Sequence, residues 1–191
     1  MTPSTHRPAR VPPAAVLLLG ALLGACDQAP GPVMPASSGH PAFHHSSVES
    51  PEVQKWLAGL RSTLARYHRS DVAEDAGYDT IFQDACFAMP GVGGMGYHYV
   101  NGGLVNATVE EFAPEALMYE PQKNGRLRLV GVEYVVPFSD WTETDPPVLH
   151  GQEFHANETF GLWTLHVWAF KHNPAGMFAD WNPTVTCDYA T

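Results

Sequence analysis

The stretch from residue 116 to residue 136 reads ALMYEPQKNGRLRLVGVEYVV. Two apolar runs, Ala116–Glu120 and Leu127–Val136, flank the dipeptide Asn124-Gly125, which strongly favours the turn of a β-hairpin. Three further short apolar and aromatic runs are set off by Gly, Pro and Asn: Gly96–Val100, Leu162–Phe170 and Thr184–Cys187. The pattern predicts an antiparallel sheet of about five strands.

The segment before the sheet has helical periodicity. Ser50-Pro51-Glu52 combines a capping hydroxyl, a proline at the first helical position and an acid near the positive end of the helix dipole. Apolar residues then recur at helical spacing: Val53, Trp56, Leu57, Leu60, Leu64 and Tyr67. Asp71 and Glu74 resemble a capping box for a second helix that runs to about Gly77. We therefore expect an α+β fold in which N-terminal helices pack on a curved, mainly antiparallel sheet.

The N-terminus has the features of an export signal. Arg7 and Arg10 precede an apolar run of 12 residues, 14–25, which is too short to span a bilayer. The run ends in LGAC (23–26), the pattern of a bacterial lipobox, in which the Cys26 thiol is acylated. The alternative is an ordinary secretory signal. We expect a lipoprotein signal at 1–25, a flexible Pro-, Gly- and Ser-rich tether at 26–48 and one globular domain at 49–191.

Charge and cysteine content limit the partners and the compartment. Removal of residues 1–25 takes away two of the ten Lys and Arg but none of the 20 acids, so the remaining chain has a formal net charge of −12. This charge disfavours nucleic acid and anionic lipid headgroups as partners, so we expect the acyl chain to hold the protein on the bilayer, on the extracytoplasmic face of the envelope. Once Cys26 is acylated, Cys86 and Cys187 remain, and we expect them to form a disulfide. Two thiolate metal ligands are the competing interpretation.

The glycine-rich segment GVGGMG (91–96) matches the letters of a dinucleotide-binding fingerprint, but it follows a proline and leads into a strand. We therefore interpret it as backbone that needs positive φ angles or close approach.

Three polar residues interrupt the apolar strands: His98, Glu133 and His166. By strand alternation Glu133 shares a face with Leu129 and Val135, and His166 shares one with Leu162. A carboxylate on a buried face is costly unless a cation or strong donors compensate it. Two imidazoles and one carboxylate are a ligand set for zinc or non-haem iron. The alternatives are a hydrogen-bonded His–Glu pair without metal, and three residues that never meet.

Five segments carry a resemblance to known sequences: GMGYHYVN (94–101), PEALMYEP (114–121), VEY (132–134), LHVW (165–168) and NPAG (173–176). They are similar to segments of an uncharacterised family of exported bacterial proteins, over roughly residues 67–187. The resemblance implies export and a single domain, and it assigns no activity.

The function that we expect from the sequence is binding of a small ligand or a divalent metal in an aromatic pocket, by a lipid-anchored domain outside the cytoplasm. The aromatic residues that would line this pocket, or would otherwise belong to the core, are Tyr97, Tyr99, Tyr134, Trp163, Trp168 and Trp181. A metal-dependent oxygenase or hydrolase that uses the same three residues is one alternative. A non-catalytic interaction module of the envelope is the other, and it would expose an apolar patch.

Overall fold

The first helix begins where the sequence predicts it. In the computed structural model, which describes residues 48–191, helix α1 spans Pro51–Leu64 and the Ser50 hydroxyl accepts a hydrogen bond from the Val53 N–H. The predicted apolar stripe is buried along this helix. A 3₁₀ turn, Ala65–His68, follows and buries Tyr67.

Helix α2 is shorter than predicted and is capped differently. It spans Ser70–Asp75, and no side chain caps its N-terminus, so the predicted capping box is wrong. Asp71 instead pairs with Arg69 outside the helix. The helix ends because Gly77 adopts a φ of +95°, a left-handed conformation that glycine enters readily.

Six antiparallel strands form the main sheet, one more than predicted. In chain order they are β1 (Thr80–Met89), β2 (Gly93–Val100), β3 (Ala116–Pro121), β4 (Leu127–Pro137), β7 (His155–Asn157) and β8 (Leu162–Val167). Their spatial order is β1-β2-β3-β4-β8-β7, and the sheet curls strongly into a half-barrel. Strands β5 (Val148–Leu149) and β6 (Gln152–Glu153) form a small separate hairpin. The α+β class and the curved antiparallel sheet are confirmed.

Two strand predictions need correction. Strand β1 was not predicted, because its pairing is interrupted between Ile81 and Cys86, where Gln83 and Asp84 have positive φ angles. The predicted strand Thr184–Cys187 is not a strand. In the last segment of the chain, the described β-pairing with the sheet is a single bridge between Gly94 and Asn182.

The β3–β4 hairpin is confirmed with a different loop. The Gln122 N–H donates to the Arg126 carbonyl, so three residues, 123–125, form the loop and Gly125 takes a φ of +74°. The Asn124 side chain accepts a hydrogen bond from the Arg126 N–H. This is a three-residue loop with glycine in the left-handed position, rather than a two-residue turn.

One face of the sheet packs on the helices. This face forms the main core, and there the Tyr119 hydroxyl donates a hydrogen bond to the Tyr67 carbonyl at 2.6 Å. Its buried sheet residues are Tyr97, Tyr99, Leu117, Tyr119, Leu129, Val132, Tyr134, Val136, Leu165 and Val167. An irregularity in the β3–β4 register leaves Val130 opposite no partner, so Leu129 belongs to this face. The prediction that Leu129 shares a face with Glu133 is therefore wrong.

Three kinds of contact attach the C-terminal segment to the sheet. The predicted disulfide between Cys86 and Cys187 is confirmed. The Lys171 ammonium lies 2.7 Å from the buried Glu120 carboxylate and also donates to the Thr184 carbonyl. A Cβ on Gly93 would lie 2.3 Å from the Asn182 carbonyl oxygen. Glycine is therefore required at position 93 because the backbone at Asn182 approaches it closely, as the sequence predicts for this segment.

The predicted signal (1–25), the acylated Cys26 and all of the tether (26–48) except Val48 lie outside the described residues. Within residues 48–191, no helix has the length and apolar character needed to cross a membrane.

Candidate metal centre

Strand pairing brings the three predicted residues together on the face of the sheet opposite the helices. Glu133 on β4 and His166 on β8 are direct partners in the ladder. His98 on β2 is paired with Met118 on β3, and Glu133 is paired with Ala116, two residues earlier on that strand. His98 therefore reaches Glu133 diagonally across β3. We call His98, Glu133 and His166 the triad.

The distances within the triad suit metal ligands better than hydrogen-bonded partners. One Glu133 carboxylate oxygen lies 3.6 Å from His98 Nε2, and the other lies 3.4 Å from His166 Nε2. Both distances are long for a hydrogen bond. One ligand atom from each residue can be chosen so that all three lie within 4.8 Å of one another. Atoms about 2.1 Å from a tetrahedral Zn²⁺ are themselves about 3.4 Å apart.

The triad histidines are buried, and three of their four ring nitrogens lack a hydrogen-bond partner. His98 is 4% exposed and His166 is 3% exposed, while the Glu133 side chain retains 13% exposure. His98 Nδ1 and both ring nitrogens of His166 have no hydrogen-bond partner. Burial lowers the pKa of His98, against the opposing effect of the Glu133 carboxylate. The neutral imidazole that results is the form that binds metal ions.

A second carboxylate lies behind His166. Asp180 Oδ1 is 3.5 Å from His166 Nδ1, on the side of the ring away from Glu133, and it accepts a hydrogen bond from His155 Nδ1 at 2.9 Å. The His155 hydrogen bond and then the His166 contact hold the pKa of Asp180 far below its usual value, and the Asp180 hydrogen bond raises the pKa of His155. A carboxylate behind a histidine is the common outer-shell arrangement of metal sites.

The triad forms the polar floor of a cavity of about 320 Å³. Asn157 and Thr164 are its other polar lining residues. Phe82 packs edge-on against Phe160, and Phe87 packs edge-on against His98. The apolar walls are made by Phe82, Phe87, Met95, Val100, Val105, Val135, Phe160, Leu162 and Trp181. The cavity is within the size range of small-molecule sites.

Sequence reasoning identified the triad and one aromatic wall residue, Trp181, but missed Asp180 and the phenylalanine walls. The other five aromatic residues expected in the pocket do not line this cavity. Phe82 and Phe87 lie on β1, whose interrupted pairing hides it from strand patterns. Asp180 lies in an irregular segment next to the bridge at Asn182, and no periodicity marks it.

Comparisons with protein-family models, curated proteins and solved structures find no match to this chain. The resemblance to a family of exported bacterial proteins therefore stays a prediction.

Proposed function

We propose that this protein binds one divalent cation, zinc or non-haem iron, through the triad. The observation that carries the proposal is the combination of ligand spacing and a buried nitrogen, His166 Nε2, that faces Glu133 without a hydrogen bond. A metal ion between Glu133 and the two imidazoles would fit the distances of 3.4 and 3.6 Å between the carboxylate oxygens and the Nε2 atoms. Its positive charge would neutralise the buried carboxylate.

The alternative of a hydrogen-bonded His–Glu pair is less well supported. Such a pair would bring a ring nitrogen to within about 3.2 Å of a carboxylate oxygen and would satisfy both atoms. His166 Nε2 faces the Glu133 carboxylate at 3.4 Å without a hydrogen bond. A buried polar atom without a partner is costly, which favours a missing ligand between this nitrogen and the carboxylate.

Three protein ligands leave coordination positions open, and here they face an apolar cavity. A structural zinc site would instead have four protein ligands. We therefore propose that the metal serves to hold a small molecule in the cavity. Attachment to the extracytoplasmic face of a membrane through Cys26 is part of the same proposal; the lipobox pattern and the disulfide support it.

Elemental analysis of the full chain tests the metal proposal. The protein is purified in detergent without chelator, reloaded with Zn²⁺ or Fe²⁺, and compared with Glu133→Gln and with His68→Gln, an exposed histidine outside the triad. We expect near-stoichiometric metal in the wild type and in His68→Gln, and none in Glu133→Gln. At a free metal concentration of 100 times Kd, the wild type gains about 2.7 kcal/mol, or a rise in Tm of about 5 to 11 °C.

Glu133→Gln keeps the size of the side chain and removes a buried charge, so we expect the metal-free variant to fold. Full metal occupancy in this variant, or a wild type that stays metal-free after reloading with either ion, would contradict the proposal.

Metabolic labelling with palmitate in a bacterial host tests the attachment. We expect the label in the wild type and its loss in Cys26→Ser. An unlabelled, soluble wild-type protein would contradict the lipid anchor and leave the metal proposal intact.

A further inference from the structure

We infer that the cavity above the triad binds a small apolar carboxylate, with the carboxylate on the metal and the hydrocarbon part against the aromatic walls. The inference rests on the proposed metal site and names the class of molecule that it takes.

The charge at the floor of the cavity changes sign when the metal binds. Without metal, the Glu133 carboxylate gives the floor a charge of about −1, which repels an anion. A divalent cation reverses that charge to about +1, because imidazole binds a metal ion in its neutral form. An anionic oxygen donor then neutralises the floor and fills an open coordination position.

The cavity offers a ligand no other charged partner. Among the described residues that line it there is no Lys and no Arg. Asn157, Thr164 and Trp181 are the lining residues outside the triad that can donate a hydrogen bond, and all three are neutral. A carboxylate on the ligand therefore takes its compensating charge from the metal, and a second charged group on the ligand would be buried without compensation.

The size of the cavity and its apolar walls suit a ligand with one or two aromatic rings. A cavity of 150 Å³ lined by apolar side chains accepts benzene, and this cavity of about 320 Å³ is roughly twice as large. It fits a bicyclic aromatic or a single ring with a short side chain. Phe160 is 37% exposed and lies at the wall, so an opening near this ring gives the ligand access.

The test uses 2-naphthoate as the probe, with 2-naphthamide as its neutral isostere and acetate as the anion without the rings. Binding is followed by Trp fluorescence and calorimetry on the full chain in detergent, with and without Zn²⁺. We expect zinc to strengthen naphthoate binding at least tenfold and to leave naphthamide binding within about twofold. Acetate should bind about 10- to 100-fold more weakly than naphthoate, because it buries no ring.

Thermodynamic linkage supplies an internal check. If zinc strengthens naphthoate binding by a given factor, naphthoate must raise the zinc affinity by the same factor, and naphthamide must not. The zinc affinity is measured by competition with a chromogenic chelator. The same competition measurement shows that zinc occupies the site before the probe is added.

Val105→Trp is the matched variant, because Val105 lines the cavity, is half-buried and lies outside the triad. We expect it to keep zinc and to lose naphthoate, which also corrects for partition of the probe into detergent. Its retained zinc shows that the variant is folded.

Each alternative result has one meaning. Equal binding of naphthoate with and without zinc, equal binding of naphthamide to the loaded protein, or unchanged naphthoate binding in Val105→Trp overturns this inference and leaves the metal site standing. A wild type that takes up no zinc or iron overturns both.

Discussion

Glu115 is a buried carboxyl group whose ionisation should weaken the fold. It is 1% exposed, and the Val135 N–H donates a hydrogen bond to it at 2.9 Å. Burial raises the pKa of Glu115 from 4.5 to about 7, against the opposing effect of the Val135 hydrogen bond. The folded protein therefore keeps a proton on this group over a pH range in which the unfolded chain has lost it.

The sign of the pH dependence follows from this raised pKa. Below pH 4.5 both states are protonated and the group costs nothing. Between pH 4.5 and 7 the folded state holds more protons than the unfolded state, so stability falls as the pH rises, and the loss is complete above pH 7. The difference of about 2.5 pKa units corresponds to about 3 kcal/mol.

Glu115→Gln removes the ionisation, and its side-chain carbonyl can still accept from the Val135 N–H. We expect the variant to match the wild type at pH 4 and to be about 3 kcal/mol more stable at pH 8. In urea unfolding followed by Trp fluorescence, with a slope of about 2 kcal/mol/M, the pH 8 midpoint should rise by about 1.5 M. The measurement uses metal-free protein, because the charge on Glu133 contributes to the raised pKa.

Glu143→Gln is the control, since Glu143 is exposed. Its stability relative to the wild type should change by less than about 0.5 kcal/mol between pH 4 and pH 8. If Glu115→Gln behaves like this control, then Glu115 is not a buried protonated acid, and the reasoning is wrong.

Three further predictions concern the C-terminal segment and the site. Lys171→Met leaves the Glu120 carboxylate buried without its cation, so we expect a loss of about 3 to 5 kcal/mol in urea unfolding, and an additional Glu120→Gln substitution should restore most of it. The disulfide between Cys86 and Cys187 spans 101 residues, so replacing both cysteines by Ala should lower the free energy of unfolding by up to about 4.7 kcal/mol; a loss below 1 kcal/mol would contradict a formed bond. Asp180→Asn should weaken zinc binding about 10- to 100-fold in chelator competition, because a neutral amide replaces the carboxylate that lies 3.5 Å from His166 Nδ1, and unchanged affinity would exclude this role.

Predictions from the sequence were most accurate where the structure depends on interactions within one helix or one hairpin. The Ser50 cap and the apolar stripe of α1 are satisfied within a single helix, and the β3–β4 hairpin is encoded by its turn. The capping box at Asp71 failed because α2 already begins at Ser70, so Asp71 lies inside the helix, and its carboxylate pairs with Arg69. Strand β1 failed because its break at residues 82–85 disrupts the alternation on which the prediction depends.

The sequence alone determined the helix-then-sheet order, the pairing of the two remaining cysteines and the three polar residues that apolar strands do not explain; export remains a prediction from the pattern at residues 1–26. These properties are local, or follow from composition. Only the tertiary structure decided that His98, Glu133 and His166 meet, because strand alternation assigns a side chain to a face but does not determine which strands are neighbours. The cavity and the contact with Asp180 depend in the same way on long-range packing, since they join β1, β8 and an irregular C-terminal segment that share no sequence period.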